Sequence, residues 1–233
     1  MIEPGSDPPR STVMEWAPLL LSFQVAIIAT VIAGVLGVAL ALLLTQPRMP
    51  GRDLLDVLVT APMVLPPTVL GYYLLVAIGR RSAIGMAFES LTGSSIVFTR
   101  TGAVVAATIG ALPFVVKNAR AALEGVDPTL MRAARTLGAG PARAFFTVRL
   151  PLAWAGIVAA LMVAFAKSLG DFGVTLMVAG NIPGQTQTAS LAIYDAIQAN
   201  RERDALGMIA VLSVVAISLL YVVNKLTGKR ADV

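Results

Sequence analysis

Cysteine and histidine are both absent from this chain of 233 residues. Their absence excludes disulfides, thiolate or imidazole metal sites, Cys–His and Ser–His catalysis, and any histidine proton relay. Charge is scarce too. Only 13% of residues are Asp, Glu, Lys or Arg, against 57% apolar, which excludes an ordinary soluble domain. The net charge of +5 comes without a basic stripe interleaved with aromatics, so it reads as loop charge that sets topology and not as a nucleic-acid footprint.

What the chain does have is a series of long apolar runs. Each crossing of a bilayer takes ~20 apolar residues, and this length suits one all-α integral membrane domain of about five transmembrane helices. Residues 1–16 are polar and lack the basic start of a secretory signal, and the run after them is too long for one, so the first span is expected to be retained. Spans are expected at about 17–44, 54–79, 101–122, 151–178 and 205–223, within a membrane domain of 17–226 and before a tail of 227–233. Residues 80–100 read as a loop with a short amphipathic helix, and 188–199 as an interfacial helix. Gly34 and Gly37, with Ala33, Ala39 and Ala41, give the first span a small-residue face for close packing. Lys117 and Arg120, ending the third span, can snorkel to the interface.

Basic residues orient the spans. With the N-terminus outside and the C-terminus inside, eleven of the eighteen fall on the cytoplasmic side: Arg48, Arg52, Lys117, Arg120, Arg132, Arg135, Arg143, Arg149, Lys225, Lys229 and Arg230. Six fall outside and Lys167 lies within a span, so the cytoplasmic excess favours this orientation. No internal repeat or inverted pair of halves is visible, which counts against the common secondary-transporter plans.

Between the third and fourth spans lies a basic island. Asp127 before Pro128 is a good helix start, Gly138 and Gly140 end that helix, and Pro141 can open a second one carrying Phe145 and Phe146. A two-helix knob with Arg132, Arg135, Arg143 and Arg149, placed beside apolar spans, suits docking at the bilayer surface.

Two groups inside the spans are candidates for a pore or gate. Lys167 and Asp171, with Ser168 between them, are four apart near the middle of the fourth span, where an ion pair can form on one helical face. A lone charge at mid-bilayer costs ~2.5–3.5 kcal/mol, so pairing is expected. Two roles fit: lining or gating a path for a hydrophilic anion, or clamping the fold without meeting cargo. Pro62, Pro66 and Pro67 free carbonyls in the second span and, with the Thr68 hydroxyl, could expose polar groups to a pore. A kinked packing helix is the other reading. Tyr72 and Tyr73 read as packing or interface residues, and Asn181, Pro183 and Gly184 as a turn.

The island carries a family pattern. Ala133, Ala134, Gly138, Val148, Leu150 and Pro151 stand in a spacing that resembles the E-A-A-x3-G-x9-I-x-L-P loop of ABC importer permeases. Arg132 stands where that family has Glu, and whether any ATPase contact made through that carboxylate carries over is left open. Further segments resemble the molybdate ABC importer permeases: A-P-M-V-L-P-P-T-V-L-G-Y-Y at 61–73, S-L-G-D-F-G at 168–173 and N-I-P-G-Q-T at 181–186. The resemblance implies a type I ABC importer permease fold in a bacterial inner membrane. It also implies a pore built from two copies, a cytoplasmic ABC ATPase dimer gripping the 127–150 loop, and a periplasmic oxyanion-binding protein. The chain would bind no cofactor, and ATP and Mg would be used by the partner, since no G-x-x-x-x-G-K-[ST] loop is present. A sulfate, thiosulfate or tungstate permease of the same fold is the nearest alternative. A non-transporting scaffold fits less well, and an intramembrane enzyme is poor because no hydrolytic pair can be assembled.

Overall fold

The computed structural model describes residues 16–46 and 49–228. The polar stretch before Trp16, Arg48, Lys229 and Arg230 lie outside the described residues. Among the described residues every element is helical: α1 (Trp16–Leu44), α2 (Arg52–Val64), α3 (Pro67–Ile78), α4 (Ala83–Thr92), α5 (Arg100–Glu124) and α6 (Pro128–Thr136). Next come α7 (Pro141–Ala144), a π-helical turn (Phe145–Arg149), α8 (Leu150–Leu169), α9 (Gly173–Ala179), α10 (Ala189–Gln198) and α11 (Glu202–Gly228).

The centre of the molecule is α5, which packs on α1, α8, α9 and α2. Its inward face is small: Ala103, Ala106, Ala107, Gly110 and Ala111 are all buried. Small residues let helix backbones approach where lipid supplies no hydrophobic drive between helices. The same device works on α1. A Cβ added at Gly37 would sit 2.7 Å from Val115 Cγ1, and one at Gly34 would sit 2.8 Å from Leu161. Toward the α6 end, Ala41, Ala119, Leu123, Val126, Ala153, Ile157 and Ala160 form a continuous apolar core.

Four helical stretches are long and apolar enough to cross a membrane: Trp16–Leu44, Arg100–Glu124, Pro141–Leu169 and Glu202–Gly228. In the last, the buried residues, Ala205 and Met208, both lie near its start. Val214, Ile217, Leu220 and Tyr221 are exposed along it, as expected of a helix facing lipid.

Three expectations change. Residues 54–79 are not one kinked helix, because α2 and α3 meet at 118°. The dipeptide Pro66–Pro67 is the cause. A residue before proline is pushed to extended backbone, so Leu65 and Pro66 both take ψ near 138–139°, and Pro67 restarts a helix at its first position. The fourth span ends at Leu169 rather than 178, broken at Gly170 to Phe172. Pro141 opens no separate knob helix either, since Pro141–Leu169 is one continuous helix of 29 residues. Pro151 lies inside it, just past the π-helical turn in which Leu150 N–H reaches Phe145 O. Pro151 has no N–H to close an ordinary turn, and its ring crowds the carbonyl one turn back, so wider winding fits there.

Candidate functional site

The basic island and the charged pair are opposite ends of one object. The helix from Pro141 to Leu169 carries the island's second half at its start and Lys167 in its last turn. At 1.5 Å per residue those ends are ~39 Å apart.

At the first end, Asp127 Oδ1 accepts the Thr129 N–H at 2.7 Å and caps α6, with Pro128 at its first position. That hydrogen bond holds the Asp127 carboxyl below the usual carboxylate range. Gly138, at φ +85°, takes the left-handed conformation that ends the helix, and Gly140 leads into Pro141. Arg132 and Ala133 are exposed on α6, Ala134 is half-buried, and Arg132 Nη2 donates to Thr129 Oγ1 at 2.9 Å. Phe145 packs with Leu150 against the apolar core, while Phe146, edge-on to it at 5.1 Å, is 64% exposed. Pro151 is exposed. Arg149 Nε donates to Leu123 O at 3.0 Å, tying this segment to the end of α5. An open cavity of about 360 Å³ results, lined by Glu124, Val126, Met131, Arg132, Arg135 and Arg149.

At the other end, Lys167 Nζ donates to Asp171 Oδ1 at 3.0 Å, while Asp171 Oδ2 accepts the Thr175 N–H at 3.0 Å and the Thr175 hydroxyl at 2.7 Å. The pair forms, but not on one helical face. Asp171 stands beyond α8 in the break and caps the first turn of α9. The break follows from Gly170 and from a carboxylate that competes for helix-start donors. Ser168 is buried beside them, and its Oγ has no partner among the described residues. Gly110 of α5 faces the pair: a Cβ there would lie 3.7 Å from Asp171 Oδ1 and 4.0 Å from Lys167 Nζ.

The proline group reaches the same place from the other side. A Cβ added at Gly173 would sit 2.7 Å from Pro67 Cβ, and one at Gly71 would sit 2.5 Å from Met177 Cβ, so α3 and α9 are in close contact. Pro66, Pro67 and Thr68 are exposed, and Pro62 is half-buried in the last turn of α2. Thr175 and Gly110 are functional candidates that sequence reasoning missed. Asp171 and Thr175 are four apart, beyond the two- or three-residue reach of an ordinary cap, so no local signal pointed to the contact.

Lys117 and Arg120 have a carboxylate partner on a neighbouring element. Both pair with Asp56 of α2, at 3.0 and 3.3 Å, and Arg120 also pairs with Glu124 at 2.9 Å. Arg52 completes the lattice on Glu124 at 3.5 Å.

Residues 33–228 match the family model described as "Binding-protein-dependent transport system inner membrane component". The chain belongs to that family. As a member it is an inner-membrane component of a transport system. It is 43% identical over 200 residues to the molybdenum transport system permease protein ModB of Escherichia coli strain K12, covering 86% of this chain and 87% of the relative. It is 37% identical over 217 residues to ModB of Haemophilus influenzae, covering 93% and 95%. Its fold is similar to that of the MetNI methionine ABC transporter in inward-facing conformations. The TM-score is 0.67 at 17% identity, over 95% of this chain and all of that one.

Proposed function

We propose that this chain is the permease subunit of an ATP-driven molybdate importer. Two copies line the pore, a periplasmic binding protein delivers the oxyanion, and a cytoplasmic ATPase dimer, which uses ATP and Mg, grips the 127–151 segment. The observation that carries the reading is the unbroken helix Pro141–Leu169, which joins a basic surface knob to a charged node in the apolar bundle. Extensive identity to the two molybdenum relatives supports molybdate as cargo.

The residues divide the work. Motion of α6 and the start of the long helix passes along that helix as a rigid body and moves Lys167 against α5 and α9. Lys167, 39% exposed at its side chain, offers a cation to an oxyanion in transit. Asp171, held by Thr175, restrains that cation so that the anion is not held tightly. Close contact of Pro67 with Gly173 supports a path bordered by α3 and α9, with Pro62, Pro66, Pro67 and Thr68 as its candidate lining. Specificity resides mainly in the binding protein.

Reconstitution with the ATPase and the binding protein tests this. Molybdate-loaded binding protein is expected to stimulate ATP hydrolysis and uptake. Stimulation by sulfate alone would reassign the cargo, and no stimulation by any oxyanion would overturn the importer.

A further inference from the structure

The cationic groups near the junction of α5 and α6 fall into two sets. Arg52, Lys117 and Arg120 are each paired with Asp56, Glu124 or both. Among the described residues, Arg132, Arg135, Arg143 and Arg149 enter no ion pair. From Asp127 to Pro151 these four arginines face a single carboxylate, Asp127, and that one is engaged in capping α6. Three of the four, Arg132, Arg135 and Arg149, converge on the cavity of about 360 Å³. Among the described residues its only acidic lining residue, Glu124, is already shared between Arg52 and Arg120. Arg149 spends its Nε on the Leu123 carbonyl, which holds its guanidinium at the cavity wall, and Arg132 is steadied by Thr129.

We infer that this cavity receives an acidic side chain, Asp or Glu, from the surface of the ATPase, with Arg132 and Arg135 as its ligands and Arg149 as a fixed positive wall. The inference rests on the ATPase-coupled reading above and adds the chemistry of the contact. A guanidinium fork suits a carboxylate bidentately, and the cavity has room for an inserted side chain. The apolar lining residues Val126, Pro128 and Met131 lower the local polarity around the guanidinium groups and strengthen the pairing.

The test uses the full-length permease in nanodiscs of purely zwitterionic lipid, titrated with its purified ATPase. Arg132→Glu with Arg135→Glu is expected to weaken binding at least ~10-fold, as expected for close charge pairs across an interface, and to abolish most of its salt dependence. Reversal of one acidic residue on the ATPase surface should restore affinity to that variant. Arg143→Glu, the same charge change at a residue that does not line the cavity, should weaken binding several-fold less. Equal binding by wild type and double variant overturns the inference, as does an equal loss in Arg143→Glu. A loss seen only after anionic lipid is added assigns the arginines to the membrane surface and overturns it too. If the wild-type permease itself does not bind the ATPase, the coupled-transporter reading fails instead. All three arginines to be changed are exposed or half-exposed, and a monodisperse elution profile with unchanged helicity checks that each variant is folded.

Discussion

Lys167 and Asp171 share one hydrogen bond of 3.0 Å but not one environment: the lysine side chain is 39% exposed, the aspartate 4%. The carboxylate is the structural partner and the ammonium the accessible one.

That asymmetry orders two substitutions. Asp171→Ala removes the acceptor of both Thr175 donors and should cost about 1–3 kcal/mol. Lys167→Gln keeps a donor toward Asp171 and should cost roughly half of that or less. Thermal unfolding in detergent reads the order, and oxyanion uptake at matched abundance should fall for Lys167→Gln. The reverse order of stability, or normal uptake by Lys167→Gln, would remove the proposed division of roles.

Close packing between α3 and α9 makes a second prediction. Gly173→Ala places a methyl 2.7 Å from Pro67 Cβ, an atom fixed by its ring. Overpacking of this kind costs about 1–3 kcal/mol. Gly110→Ala meets its neighbours at 3.7 and 4.0 Å, ordinary contact, and should be tolerated. Equal melting temperatures for the two variants would show that α9 can slide away from α3.

Continuity of the long helix is testable by interruption. Two glycines inserted between Arg149 and Leu150 leave the knob's surface residues in place but break the link at the π-helical turn. ATPase binding should persist within a few-fold, while oxyanion-stimulated hydrolysis falls to the unstimulated rate. Retained stimulation would mean that motion passes by another route.

Acid should loosen the cap of α6. The Thr129 N–H stabilises the ionised Asp127, so its folded-state pKa lies below the unfolded value. The cap is therefore at full strength above the unfolded carboxylate value and is lost as pH falls through the depressed one. Hydrogen-exchange protection at Thr129 should drop over that acidic window in wild type. It should vary little in Asp127→Asn, which keeps an acceptor, and be weak throughout in Asp127→Ala. A pH-independent wild type would exclude the carboxylate as the cap.

The long apolar runs were legible because only helices satisfy the backbone in lipid, and the start and glycine stop of α6 because caps are local chemistry. What was misread shares one cause: polar or proline residues inside a run were given the wrong partner. Arg143 and Arg149 made the stretch before Pro151 look detached from the fourth span, yet Arg149 reaches across to Leu123 while its backbone stays helical. Pro66–Pro67 read as a kink, although two consecutive prolines hold two residues extended and turn the chain through 118°. The pairing of Lys117 and Arg120 with Asp56 was missed because Asp56, 61 residues from Lys117, is invisible as a neighbour without a fold. The Lys167–Asp171 contact was found from spacing alone, but the break at Gly170 that frees Asp171 for Thr175 was not.

A rod of 29 residues is a lever arm about 43 Å long. Pivoting near one tip by about 10° sweeps the opposite tip through roughly 7.5 Å. Modest swivelling at the Pro141 tip would thus be magnified by leverage alone, with no need for the bundle to bend.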